Sequence, residues 1–146
     1  MDEMKVVDIY IDTSVKGPKR QDGKALFILA FVTASGKTAD RGDWVHKEDT
    51  TESQLTLLAL EAALKHLKTA CYLVIHLECN YVAAAFLNGW LQDWHKNGWQ
   101  NAKKKPISDA EIWQSIQSLL EKHDFEVVLG QEHTYRDWMK RELEKK

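Results

Sequence analysis

Two apolar runs limit what this chain can become. Ala25–Thr33 reads ALFILAFVT and Cys71–Leu77 reads CYLVIHL. Neither is a clean polar/apolar alternation, so each is expected to be a strand covered on both faces, inside a sheet that carries helices on its sides. Lys5–Ile11 is β-branched and aromatic, a further strand. Residues 13–24, TSVKGPKRQDGK, hold Gly17, Pro18 and Gly23 and are expected as a basic loop. Ser35-Gly36 predicts a hairpin turn, and Lys37–His46 a more polar third strand near an edge. Thr50 or Thr51 can cap a helix in which Leu55, Leu58, Ala59, Ala62 and Leu67 recur at helical spacing. Asn80–Asn88 and Gly89–Lys96 are expected as two short helices broken near Gly89, with 97–107 as a loop. Asp109–Lys122 predicts a helix with Ile112, Trp113, Ile116, Leu119 and Leu120 on its apolar face. Phe125–Leu129 follows as a fifth strand and Tyr135–Glu144 as a charged last helix. The order β-β-β-α-β-α-α-α-β-α implies an α/β fold with a mixed sheet.

A chain of 146 residues with no internal repeat and no low-complexity linker is expected to form one domain, 1–146. Its formal net charge is −2, so it is no polycation, and any nucleic-acid surface has to be a local patch. The candidate patch spans about 89–107, where Trp90, Trp94 and Trp99 interleave with Lys96 and precede Lys103, Lys104 and Lys105. Trp90 and Trp94, at i and i+4, equally suit a core-facing stripe, and the lysines a solvated loop. Cys71 and Cys79 have no metal-ligand spacing and read as free thiols of a reducing compartment. The N-terminus lacks a signal-peptide apolar region, and no apolar run approaches the roughly 20 residues of a membrane helix, so a cytoplasmic location without membrane contact is expected.

Four stretches carry a resemblance. IYIDTS is similar to a first-strand TDGS motif, TTESQLTLLALEAAL to a first-helix TTNNRMELMA, and IHLECNYV to a fourth-strand STDSQYV. GWLQDWHKNGWQNAKKKPISDAEIWQSI resembles a basic protrusion followed by an LWQ-like helix. Together they make the chain resemble bacterial type I ribonuclease H over almost its full length. That resemblance implies the ribonuclease H-like fold, a five-stranded mixed sheet in order 3-2-1-4-5 flanked by helices, with a basic protrusion at about 89–107. It also implies an RNA/DNA hybrid as partner, cut on its RNA strand by two divalent ions on four carboxylates. Ser53 and Asn80 align with residues that contact the hybrid's minor groove, where 2′-hydroxyls identify RNA. Trp90, Trp94, Lys96, Trp99 and Lys103–Lys105 align with the protrusion that grips the other strand.

The carboxylate set itself departs from the pattern. Asp12 matches the first aspartate. Glu78 stands at the fourth-strand position, one methylene longer than the aspartate there. Thr56 replaces the helix glutamate, and Arg141 falls gaplessly on the last aspartate. Gln131 falls on the family's mobile histidine, with His133 two residues on. A formal −4 becomes −1, and a guanidinium cannot be deprotonated to bind metal. Asp12 and Glu78 are thus the remnant catalytic pair and the candidate metal ligands. Arg141 is expected to fork onto one of them as a built-in cation. A site slid one helical turn would instead gather Glu52 and Asp137 with Asp12 and Glu78. The expectation is a hybrid- or nucleic-acid-binding protein that is catalytically impaired, with no cofactor. The alternatives are an active enzyme dependent on Mg or Mn with rearranged carboxylates, and a protein-interaction module reusing the fold. His46, His66, His76 and His123 show no partner spacing and are expected as ordinary surface or sheet residues.

Overall fold

Both apolar runs become strands that flank the central one. In a computed structural model, which describes residues 5–17, 19–33, 35–100 and 103–145, the elements run β1 Lys5–Thr13, β2 Gln21–Val32, β3 Thr38–Thr50, α1 Glu52–Lys65, β4 Cys71–Leu77, α2 Asn80–Leu87, α3 Trp90–Lys96, α4 Ala110–Leu120, β5 Asp124–Leu129 and α5 Arg136–Glu144. The sheet order is β3-β2-β1-β4-β5. β1 pairs antiparallel with β2 (Ile9 opposite Leu29) and parallel with β4 (Ile9 opposite Ile75). β2–β3 is antiparallel and β4–β5 parallel. This is the expected ribonuclease H-like α/β topology.

Strand alternation sorts the side chains between two layers. Val7, Ile9 and Ile11 of β1 and Leu73, Ile75 and Leu77 of β4 join the large buried cluster under α1, α2 and α4. Tyr10 turns to the opposite face, where it packs with Leu26, Ile28, Ala30 and with Met139 and Leu143 of α5. By the same alternation Asp12 shares the α5 face with Tyr10. The β1–β4 register ends at Tyr10 opposite His76, and two residues further it sets Asp12 level with Glu78. Both acids therefore lie at neighbouring strand ends on the face that α5 covers.

Element boundaries differ from the sequence expectation where ladder bonds override polar composition. β1 reaches Thr13, β2 starts at Gln21 inside the expected loop 13–24, and β3 continues beyond His46 to Thr50. The β2–β3 pairing runs from Val32–Thr38 to Gln21–Thr50 with one irregularity at Gln21/Gly23. Pro18 of that loop and Ala34 before the Ser35-Gly36 turn lie outside the described residues, as do Asn101 and Ala102 of the protrusion. The Thr51 side chain accepts the Gln54 N–H at 3.2 Å, so Thr51 and not Thr50 caps α1. His123 is not a surface residue: it is 6% exposed, and its Nδ1 accepts the Cys71 N–H at 3.0 Å. His76 is a sheet residue of β4, as expected; it stacks on Tyr10 with ring centroids 4.3 Å apart and meets Asp8 at 3.0 Å. Among the described residues, no helix is long and apolar enough to cross a membrane.

Ile75 is fully buried at the centre of this arrangement, and Leu87 is 61% exposed. Ile75→Ala is expected to lower unfolding free energy by about 2–5 kcal/mol. Leu87→Ala should stay within about 0.5 kcal/mol of the parent protein. Urea denaturation of the two variants checks the difference.

Candidate functional site

Asp12 is 4% exposed. One of its oxygens accepts the Thr13 N–H at 2.8 Å and also receives the Lys16 ammonium. Lys16 is held in place by its neighbours. The Ser14 N–H donates to the Lys24 carbonyl, and the Lys24 N–H to the Ser14 hydroxyl, both at 2.9 Å. Val15 is buried against Gly23, where a Cβ would stand 2.3 Å from Val15 Cγ2. The Gly17 N–H reaches the Glu52 carboxylate at 3.0 Å. The turn after β1 is thus pinned to β2 and α1 on both sides of Lys16, and its side chain folds back onto Asp12.

Glu78 is held from the other side. Arg136, the first residue of α5, donates from Nη2 to Glu78 Oε1 at 2.8 Å and from Nη1 to Glu132 Oε1 at 2.6 Å. Arg136 and Glu78 side chains are only 19% and 14% exposed. The hydrogen bond to Glu78 and that carboxylate's charge hold the guanidinium pKa above its ordinary value. Asp12, Glu78 and Lys16 line one cleft of about 500 Å³ with Thr13, Ser14, Lys140, Leu143 and Glu144.

The expected role of Arg141 is not what α5 delivers. Met139 and Leu143 are buried against the sheet, which fixes the rotation of the helix. At about 100° per residue, Arg136, Lys140 and Glu144 then form an i, i+4, i+8 stripe on the flank nearest the acids. Arg141 lies about 180° from the buried face and is exposed, with no ion pair among the described residues. Arg136 takes the role expected of Arg141, five residues earlier. The same rotation turns Asp137 outward, and the residue is exposed. Glu52 lines a neighbouring cleft instead, so the structure does not bring Glu52 and Asp137 together with Asp12 and Glu78. Sequence reasoning missed Lys16, Arg136, Lys140 and Glu144. The available signal was the inward pair Met139/Leu143, which orients every other position of the helix.

Thr56, at the helix-glutamate position, is buried, and its hydroxyl donates to the Glu52 carbonyl at 2.8 Å. Ser53 and Asn80 line the neighbouring cleft of about 500 Å³ with Glu52, Tyr81 and Asp109. Trp90, Trp94 and Trp99 are half-buried and pack on the main core, and Trp94 meets the fully buried Trp113 edge-on at 5.4 Å. Trp99 takes a positive φ of 64° after Gly98 at 68°. Its carbonyl accepts the Ile107 N–H at 3.0 Å, and Gln100 bridges to Pro106. The protrusion is closed at its base, and Lys103, Lys104 and Lys105 lie exposed within it, as does Lys96 at the end of α3. Gln131 is exposed, while His133 packs on Tyr10 at 4.2 Å and does not line the Asp12–Glu78 cleft.

The RNase H family model matches residues 4–134. The chain belongs to the ribonuclease H family. It is 31% identical over 134 residues to Ribonuclease HI of Pseudomonas aeruginosa PAO1, covering 92% of this chain and 86% of that one. It is 32% identical over 123 residues to Ribonuclease H of Bradyrhizobium sp. ORS 278, covering 84% and 75%. Among solved structures, LC9-RNase H1, described as a type 1 RNase H with the type 2 active-site motif, superimposes with a TM-score of 0.78 at 20% identity, covering 97% of this chain and 71% of that one. The foamy viral protease-reverse transcriptase in complex with RNA/DNA hybrid gives 0.67 at 20% identity, covering 96% of this chain and 19% of that larger one. The family match ends just before α5, the helix that carries Arg136 and Lys140.

Ribonuclease H chemistry implies divalent ions, and the residues of this cleft do not suit them. Magnesium needs hard oxygen ligands in near-octahedral array. Of the four family positions, two are carboxylates, and each already holds a cation of the protein. Thr56 is buried with its hydroxyl committed to its own helix, and Arg141 faces away. Among the described residues, no group of three His, Cys, Asp or Glu side chains is arranged to hold a metal.

Burial, aided by the nearby His76 and Arg136, pushes the His133 pKa down to about 4. Unfolded His133 takes a proton as pH falls through its ordinary 6.5, whereas the folded residue does so only near 4. Stability that is complete above pH 6.5 is therefore lost as pH falls toward 4. The thermal midpoint should drop over that window in the parent protein and drop less in His133→Gln. Equal slopes would remove His133 from the acid limb.

Proposed function

We propose that this ribonuclease H domain binds RNA/DNA hybrid through its basic protrusion and minor-groove residues without cutting it by the two-metal route. The observation that carries the reading is that each remaining acid of the site, Asp12 and Glu78, is held by a cation of the protein itself. Metal binding there would require displacing Lys16 and Arg136 from close ion pairs, with two ligands too few to compensate. Binding has separate support. Lys103–Lys105 lie on a loop closed at its base and Lys96 ends α3, beside tryptophans packed on the core. Phosphate contacts of this kind release counterions and make affinity fall steeply with salt. Ser53 and Asn80 place polar side chains in one cleft at the N-termini of α1 and α2, where such groups can meet groove hydroxyls.

An active enzyme with a rearranged set has one observation in its favour: Glu144 adds a third acid to the Asp12–Glu78 cleft. Glu144 is exposed at the last turn of α5, and Lys140 on the same stripe opposes it, so the binding reading is preferred.

Purified protein is expected to retain a labelled RNA/DNA hybrid in a mobility-shift assay and to leave its RNA strand intact in magnesium or manganese, beside an active ribonuclease H as control. Metal-dependent cleavage that disappears in Asp12→Asn would replace this reading with the rearranged enzyme. Absence of hybrid binding would favour the protein-interaction alternative. Replacing Lys103, Lys104 and Lys105 together by Ala should weaken binding and flatten its dependence on salt by up to about 3 in log–log slope. An unchanged slope would take the protrusion out of the interface.

A further inference from the structure

We propose that the Asp12–Glu78 cleft is a metal-independent site for a nucleic-acid backbone phosphate, in which Lys16 and Lys140 contact the phosphate directly. The inference rests on the reading of this domain as a hybrid binder and adds to it a second phosphate site, far in sequence from the protrusion. In two-metal chemistry the ions link protein carboxylates to the phosphate. Here that linking position belongs to an ammonium group. Lys16 gives Asp12 one of its three N–H donors, and its side chain remains 56% exposed and lines the cleft. Lys140 is exposed, lines the same cleft from α5, and has no ion pair among the described residues.

The cleft lining carries Asp12, Glu78 and Glu144 against Lys16 and Lys140, a formal −1, while Arg136 holds Glu78 and also pairs with Glu132. A four-carboxylate cleft carries −4 until ions arrive, so this one opposes an incoming phosphate far less. Its acids are also unequal. Asp12 and Glu78 are themselves largely buried and act as anchors for the cations. Glu144, at the helix end, is the one acid left facing the solvent side of the cleft. Fixed anchoring matters because a lysine held at its position loses less conformational entropy when a phosphate arrives than one on a free stem. The turn pinned by Ser14, Val15 and Gly17 and the ion pair to Asp12 supply that fixation for Lys16, while the buried Met139 and Leu143 fix only which flank of α5 carries Lys140.

The test is fluorescence anisotropy with a short RNA/DNA hybrid, in EDTA and in magnesium, across a salt series. The expected result is equal affinity in the two buffers for the parent protein. In Lys16→Met/Lys140→Met affinity should fall, with the log–log salt slope reduced by about 2, one for each lost phosphate contact. Lys16→Arg/Lys140→Arg should retain binding. Because Lys16→Met leaves Asp12 without its partner and can disturb folding, Lys140→Met alone is the companion variant. It is an exposed change expected to keep the parent's thermal midpoint while lowering the slope by about 1. Hybrid binding that requires magnesium overturns the proposal. So does an unchanged affinity and slope in Lys140→Met and the double variant while the Lys103–Lys105 variant is weakened, an outcome that leaves the binding reading standing. Failure of the parent protein to bind hybrid in either buffer overturns both.

Discussion

The parallel pairing of β1 with β4 is the constraint on which the rest depends. Its register places Asp12 and Glu78 level at neighbouring strand ends, and strand alternation aims both at α5. Neighbouring strands run about 4.8 Å apart. Two carboxylates held at that spacing near a protein surface repel by roughly 3 kcal/mol at an effective dielectric near 20. The fold cannot relieve this by separating the strands, because Ile9, Ile75 and Leu29 pack the same ladder into the core. Countercharge has to come from somewhere, and here two local devices provide it. The turn after β1 returns Lys16 to Asp12, and the first turn of α5 delivers Arg136 to Glu78.

Much of this was legible in the sequence. Strand order, the crossover helices and the positions of Asp12 and Glu78 follow from apolar runs, turn residues and the family motifs. That Thr56 and Arg141 fall where the resemblance implies acids was visible as well. The identity of the compensating cation was not. A gapless match points to Arg141, but a helix is oriented by what it buries, and Met139 with Leu143 turns Arg141 outward and Arg136 inward. Weighting the hydrophobic pair above the motif would have found Arg136 and Lys140. Lys16 was harder, since its placement depends on Val15 packing against Gly23 and on backbone bonds from Ser14, contacts made across residues 14–24 that no periodicity encodes. The ends of β2 and β3 were misjudged for a related reason: their outer residues are polar and hold their places by ladder bonds, not by burial.

The protrusion shows how one residue serves structure and surface together. Trp94 rests edge-on against Trp113 in the core and Trp90 leans on Trp94 and Tyr81, so the stripe that anchors α3 also sets where the following loop leaves the body. Left-handed backbone at Gly98, Trp99 and Lys104 turns that loop, and the Trp99–Ile107 bond closes it. Trp90, Trp94 and Trp99 are half-buried against the core, and Lys96 and Lys103–Lys105 are exposed.

The account's central claim is that the protein's own cations have replaced divalent metal at the Asp12–Glu78 pair. Isothermal titration of manganese chloride into the purified, chelator-treated protein tests it most directly. The account predicts no saturable binding in the parent protein, and saturable binding that appears when Lys16→Met and Arg136→Gln release both acids. Saturable manganese binding by the parent protein that is lost in Asp12→Asn would contradict it.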